Sequence, residues 1–177
     1  MRFGTLEFAL AGERLDLLSE PTRNSIQSML AGDDVFVAPI DPALSDTKAF
    51  CEKYEIGMEA AANCVVIEAT RGEKRTLAAC VVLADTRADI NGLVRKFLDA
   101  RRASFAPMQE TVEKSGMEFG GITPIGLPSE WPILVDSRVA LSERVIIGSG
   151  IRRSKLLVPG RILASLPNAN VLQNLAK

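Results

Sequence analysis

The chain has 177 residues, 47% of them hydrophobic and 24% charged, with a formal net charge of −1. That length supports one domain whose core needs neither metal nor disulfide, and the near-neutral charge argues against a cationic coat for nucleic acid while leaving room for contact with the end of an RNA. Histidine is absent, which removes Ser-His-Asp and Cys-His nucleophilic machinery and imidazole metal sites together.

Cys51, Cys64 and Cys80 are odd in number and widely spaced, fitting neither a disulfide framework nor a zinc site. No metal or other cofactor is expected. No long apolar run occurs, so no membrane partner is expected, and the setting read from the sequence is the reducing cytoplasm. Aromatic residues make up 5% of the chain. The core must therefore be aliphatic, and the composition gives little reason to expect stacking platforms for bases.

In chain order, the first thirty-odd residues read as an arm followed by a helix. Pro21 sits in its first turn, Ile26, Met29 and Leu30 are at helical spacing, and Gly32 ends it. A short strand over 35–40 is broken by Asp41-Pro42. Ser45 or Asp46 then caps a helix through Tyr54 that closes near Gly57. The runs 63–68 and 76–83, separated by Arg71-Gly-Glu-Lys74, predict a central β-hairpin, since both are apolar on both faces. Asp89 caps a helix through Leu98, and another helix runs from Pro107 to Gly116. Residues 119–128 are too rich in Gly and Pro to be regular. Strands over 133–135, 144–147 and 155–158 and a helix over 159–166 complete the chain. Local groups of cations stand out at Arg95, Lys96, Arg101 and Arg102, and at Arg152, Arg153 and Lys155.

Two glycine segments can carry chemistry. In Gly120-Gly121-Ile122-Thr123-Pro124 the glycines permit positive φ and close approach, and successive free N–H groups can form an oxyanion hole. The same residues also suit a tight connection between a helix and a strand. Gly148-Ser149-Gly150, followed by Arg152, Arg153 and Lys155, can set amides and positive charge beside a phosphate, or form a hairpin turn with a solvated edge. Asp136, at the end of an apolar strand, can orient an amine or hydroxyl, or cap the next turn. Asn63 and Cys64 begin the first hairpin strand. Cys64 has no histidine or evident cation to lower its pKa, which argues against a nucleophile.

Taken in order over residues 62–166, the hairpin, helix, Gly-Gly-Ile-Thr-Pro loop, strand ending in Asp136 and Gly-Ser-Gly turn resemble the YbaK/prolyl-tRNA-synthetase-associated editing family. Gly120–Pro124 is similar to that family's GxxxP loop. The resemblance implies a single α/β domain with a mixed, largely antiparallel sheet, curved towards a barrel and surrounded by helices; residues 1–60 would be an N-terminal extension packed on it. It implies hydrolysis of the ester of a mischarged aminoacyl-tRNA in trans, a second sieve against amino acids that binding alone rejects weakly. Gly120, Gly121 and Asn63 would be catalytic. Cys64, Ile122, Thr123, Pro124, Asp136, Gly148, Ser149 and Gly150 would bind substrate, and Arg152, Arg153 and Lys155 would bind tRNA. The implied partners are the 3′ end of the mischarged tRNA and an aminoacyl-tRNA synthetase, with no DNA.

One position departs from the family pattern. Asn63-Cys64 stands where many members carry Lys-Thr. Loss of a charge-assisted contact there is worth about 1.5–3 kcal/mol. Three consequences stay open: another cation substitutes, the substrate differs, or the chain binds a tRNA or an amino-acid-like ligand without turnover.

Overall fold

The structure is a computed structural model that describes residues 1–30, 32 and 34–177. The arm expected at the N-terminus contains three two-residue strands, β1 (Arg2–Phe3), β2 (Leu6–Glu7) and β3 (Ala9–Leu10). Ser19 caps α1 (Glu20–Met29), where Pro21 lies in the first turn and its missing N–H costs nothing. After β4 (Phe36–Pro39), the Asp46 carboxylate accepts the Lys48 and Ala49 N–H groups and starts α2 (Thr47–Tyr54). That helix ends at Glu55, in the left-handed conformation, earlier than Gly57 suggests.

The hairpin of β5 (Ala62–Arg71) and β6 (Lys74–Leu83) is longer than the apolar runs predict, because its outer pairs continue through polar residues up to Arg71 and Lys74. Asp89 caps a π-helical turn over Ile90–Val94 that tightens into α3 (Arg95–Phe97). An edge strand, β7 (Arg102–Phe105), follows, then α4 (Met108–Ser115), closed by Gly116 at φ 67°. The remaining elements are β8 (Ile133–Asp136), α5 (Ser137–Leu141), β9 (Val145–Gly148), β10 (Ser154–Val158), α6 (Gly160–Ala164) and β11 (Ala169–Leu172).

Two sheets carry the fold. The larger has the order β11-β8-β6-β5-β7 and the smaller β3-β4-β10-β9. Pairing is antiparallel except that β8 lies parallel to both β6 and β11. The hairpin is central, and β6 is buried from Leu77 through Leu83. One core joins the sheets: Val81 and Val135 from the larger meet Val37, Ile147 and Leu156 from the smaller, with Ile26, Val139 and Leu163 from the helices. The two sheets touch through the bridge Ala61–Ile146, and no closed barrel forms among the described residues.

Asp136 serves this framework. It is fully buried at the end of β8, where its carboxylate accepts the backbone N–H groups of Arg138 and Ala176, each at 2.9 Å, and the Arg138 guanidinium at 3.0 Å. It therefore caps α5 and ties down the C-terminal segment, instead of lining a ligand pocket. Burial alone would push its pKa up, but the hydrogen bonds from Arg138 and Ala176 outweigh burial and hold it below the ordinary carboxylate value. A depressed folded-state pKa stabilises the fold above the unfolded carboxylate value near pH 4, and that contribution is lost as pH falls through the folded value. Asp136→Asn is expected to lose about 1–3 kcal/mol at pH 7. Its urea midpoint should also vary less than the parent's between pH 5 and pH 2; an unchanged midpoint at pH 7 would refute this role.

Candidate active site

A cleft of about 540 Å³ opens where several elements meet: the start of α2, the start of β5, the β7–α4 junction, the loop after α4, and the β9–β10 region. Asn63, Cys64, Gly120, Ile122, Gly148, Arg152 and Lys155 border it, together with Ser45, Thr47, Phe105, Met108 and Phe119. The two glycine segments, separate in sequence, are thus adjacent in space.

They are adjacent because their backbones touch. The Gly150 N–H donates to the Gly121 carbonyl at 2.7 Å, and the Glu118 carbonyl accepts from Gly121 at 3.0 Å. A side chain on Gly121 would meet the backbone of Ile151, and one on Gly148 would meet the carbonyls of Gly121 and Ile122. These glycines allow two loops to interlock at a distance that any Cβ would block. Gly150, at φ 86°, is pressed against Ser19 and Thr22 of the α1 cap. The turn's other amides are also used internally: Ile151 N–H donates to Ser149 Oγ and Arg152 N–H to the Glu118 carboxylate. The turn is therefore not an open anion nest. Gly120 and Ile122 differ: both border the cleft, and neither N–H has a protein acceptor among the described residues.

The side chains add more donors. Thr47 Oγ1 donates to Asn63 Oδ1 at 2.6 Å, which fixes the amide and leaves its nitrogen without a protein partner among the described residues. Lys155 is 6% exposed; its ammonium donates to the Ser45 carbonyl at 3.2 Å and lies 5.3 Å from the Phe50 ring centre. No carboxylate lies within ion-pair distance of it among the described residues. Burial lowers its pKa from the ordinary lysine value, only partly opposed by Cys51 and Asp46. Cys64 has the opposite tendency for a thiol: burial, and then Cys80, raise its pKa. It stays protonated and lines the wall.

Of the residues singled out from sequence, several lie away from the cleft. Gly121 and Gly150 are consumed by the interlock; Thr123 and Pro124 are buried behind it. Ser149 is buried, with its hydroxyl engaged by Ser154. The three cations after the turn divide. Arg152 stays exposed at the cleft, reaching the Pro42 carbonyl at 3.4 Å. Arg153 does not border the cleft and donates to the Asp16 carbonyl at 2.9 Å, and Lys155 is too buried to meet a phosphate at the surface. Sequence reasoning missed Thr47, which orients Asn63 across 16 positions, and the exposed rim of Phe105, Met108 and Phe119. Neither spacing nor composition marks them.

Residues 41–166 match the aminoacyl-tRNA editing domain family, and the chain belongs to that family. Among solved structures, the fold is similar to that of the hypothetical protein APE2540, with 19% identity, a TM-score of 0.76, and coverage of 89% of this chain and 100% of that one. It is also similar to a protein described as "a putative trans-editing enzyme for prolyl tRNA synthetase", with 18% identity, a TM-score of 0.72, and coverage of 88% and 97%. None of the curated proteins matches. No helix among the described residues is long and apolar enough to cross a membrane.

A buried ammonium without a carboxylate partner burdens the fold. Lys155→Met is expected to raise stability at pH 7 by about 1 kcal/mol. The gain should shrink as pH rises towards about 10.4, because the native parent then sheds its proton and the cost of the buried charge fades. A lower melting temperature for Lys155→Met at pH 7 would contradict this.

Proposed function

We propose that the chain is a deacylase acting in trans, hydrolysing the ester that joins a wrong amino acid to the 3′ end of its tRNA. What carries the reading is the group of donors that borders one cleft, where the one carboxylate among the described lining residues, Asp46, is turned to the N–H groups of Lys48 and Ala49. The polar wall of the cleft offers the Gly120 and Ile122 N–H groups, the Asn63 amide nitrogen and the Lys155 ammonium. The rest is largely apolar, with Ala62, Cys64, Val65 and Ala106. Such a wall suits a carbonyl whose oxygen becomes negative during the reaction.

In this scheme water attacks the ester carbonyl and a tetrahedral oxyanion forms against the Gly120 and Ile122 amides. Lys155 adds fixed positive charge at close range, where exclusion of water strengthens it. The bond to the ribose oxygen breaks, the ribose oxygen takes a proton, and free amino acid and tRNA leave. A chain without histidine suits this scheme, because the attacking water can lose its proton to solvent or to an amine on the substrate. Asn63, held by Thr47, serves as a neutral donor to a ribose hydroxyl or phosphate where related chains place a cation, and Lys155 supplies charge from a different strand. The neutral Asn63 also favours a second reading, in which the same cleft binds a charged tRNA without cleaving it.

Incubation with a panel of mischarged aminoacyl-tRNAs separates the two. Deacylation predicts accelerated ester loss from at least one of them. Gly120→Ala should slow that loss about 100-fold, because residue 120 has φ 82° and a Cβ there would sit 2.9 Å from Ser45 Oγ. Binding with no ester loss across the panel would overturn deacylation in favour of the binding reading.

A further inference from the structure

The rim of the cleft is unusual for a chain so poor in aromatics. Phe105 is 67% exposed, Phe119 55% and Met108 47%, and all three border the same opening. Buried apolar surface stabilises a fold, so exposing two of the chain's seven phenylalanines on the border of one opening is a feature the core does not need.

Phe105 also ends β7, an edge strand paired only with β5. At the other end of β7 lie Arg101 and Arg102, and beside them Arg95 and Lys96, all exposed. None of these four has a carboxylate within ion-pair distance among the described residues. The one acid within that stretch, Asp99, is engaged by Arg71 at 2.7 Å. Arg95 reaches back to the Asn91 carbonyl at 2.9 Å and borders the same shallow depression as Arg101 and Arg102. From Arg102 to Phe105 the strand spans about 10 Å. The exposed edge of β7 thus carries an aromatic residue at one end and unpaired cations at the other, with Phe105 and Arg102 projecting to opposite faces of the strand.

We propose that Phe105 and Phe119 form a stacking site for unpaired bases at the 3′ end of an RNA, and that β7 leads its phosphates to Arg101 and Arg102. This rests on the deacylase reading for the identity of the RNA, but not for the binding itself. Aromatic faces next to unpaired arginines are the combination that holds single-stranded nucleic acid, because every base has a π-face and every linkage a charge. A protein partner would be served by a wider apolar surface without the cation track. The proposal departs from the composition-based reading, which gives little reason to expect stacking platforms. It also moves the phosphate contacts from Arg153 and Lys155 to the β7 edge.

The test is fluorescence anisotropy with a short, uncharged, 5′-labelled single-stranded RNA ending in CCA, titrated at several salt concentrations. The parent chain should bind with a salt-dependent affinity. Phe105→Ala should weaken binding about 5- to 150-fold, as loss of one base stack does. Phe105→Trp should keep it, which a merely structural role would not require. The double variant R101Q/R102Q should flatten the logarithmic salt slope by about 1.4, the share of two phosphate contacts on a single strand. Absence of binding by the parent, or equal affinity for the parent and Phe105→Ala, overturns the proposal. Because the RNA carries no ester, a chain that binds it through Phe105 yet cleaves no aminoacyl-tRNA would sustain this inference and defeat deacylation.

Discussion

The hydrogen bond from Gly150 to the Gly121 carbonyl, at 2.7 Å, holds the site together. It brings the loop after α4 against the β9–β10 turn at a separation that only glycine at positions 121 and 148 allows. Once those backbones are locked, Gly120 and Ile122 are left bordering the cleft with their amides unspent. Gly150 in turn rests on the Ser19–Thr22 cap of α1, so the N-terminal helix buttresses the same contact. Loop, turn and helix cap form one unit, and the position of the donors follows from it.

The unit sets the kind of chemistry available. With no imidazole in the chain and Cys64 held protonated by burial, the proposed deacylase would stabilise developing charge with polarised peptide groups and one buried ammonium. Lys155 carries a cost in stability, since its charge is taken out of water against a single carbonyl and an aromatic ring. In the deacylase we propose, that cost is offset by the charge Lys155 adds beside the developing oxyanion.

Much of the fold was legible in the sequence because its central elements are strongly patterned. The β5–β6 hairpin, α1, α2 and α4 follow from apolar runs and from Pro21, Asp46 and Gly116 at the helix ends. The elements that escaped have no such signature: β7 is Arg-Ala-Ser-Phe on a sheet edge, and β1, β2 and β3 are two residues each, specified by their partners and not by their own pattern. The site was legible in part. Glycine marked the right two segments, but not which glycines face ligand and which face each other; that distinction depends on contacts between residues about thirty positions apart. The sharing of Asn63 with Thr47, and the inward turn of Lys155, likewise depend on packing between elements and leave no trace in local composition.

Amide hydrogen exchange by NMR, with and without a non-hydrolysable 3′-aminoacylamino-adenosine, tests the interlock most directly. The account predicts strong protection at Gly150 in the free protein and fast exchange at Gly120 and Ile122, which slows when the analogue binds. Exchange at Gly150 as fast as at Gly120, or an analogue that binds and leaves Gly120 and Ile122 unchanged, would contradict it.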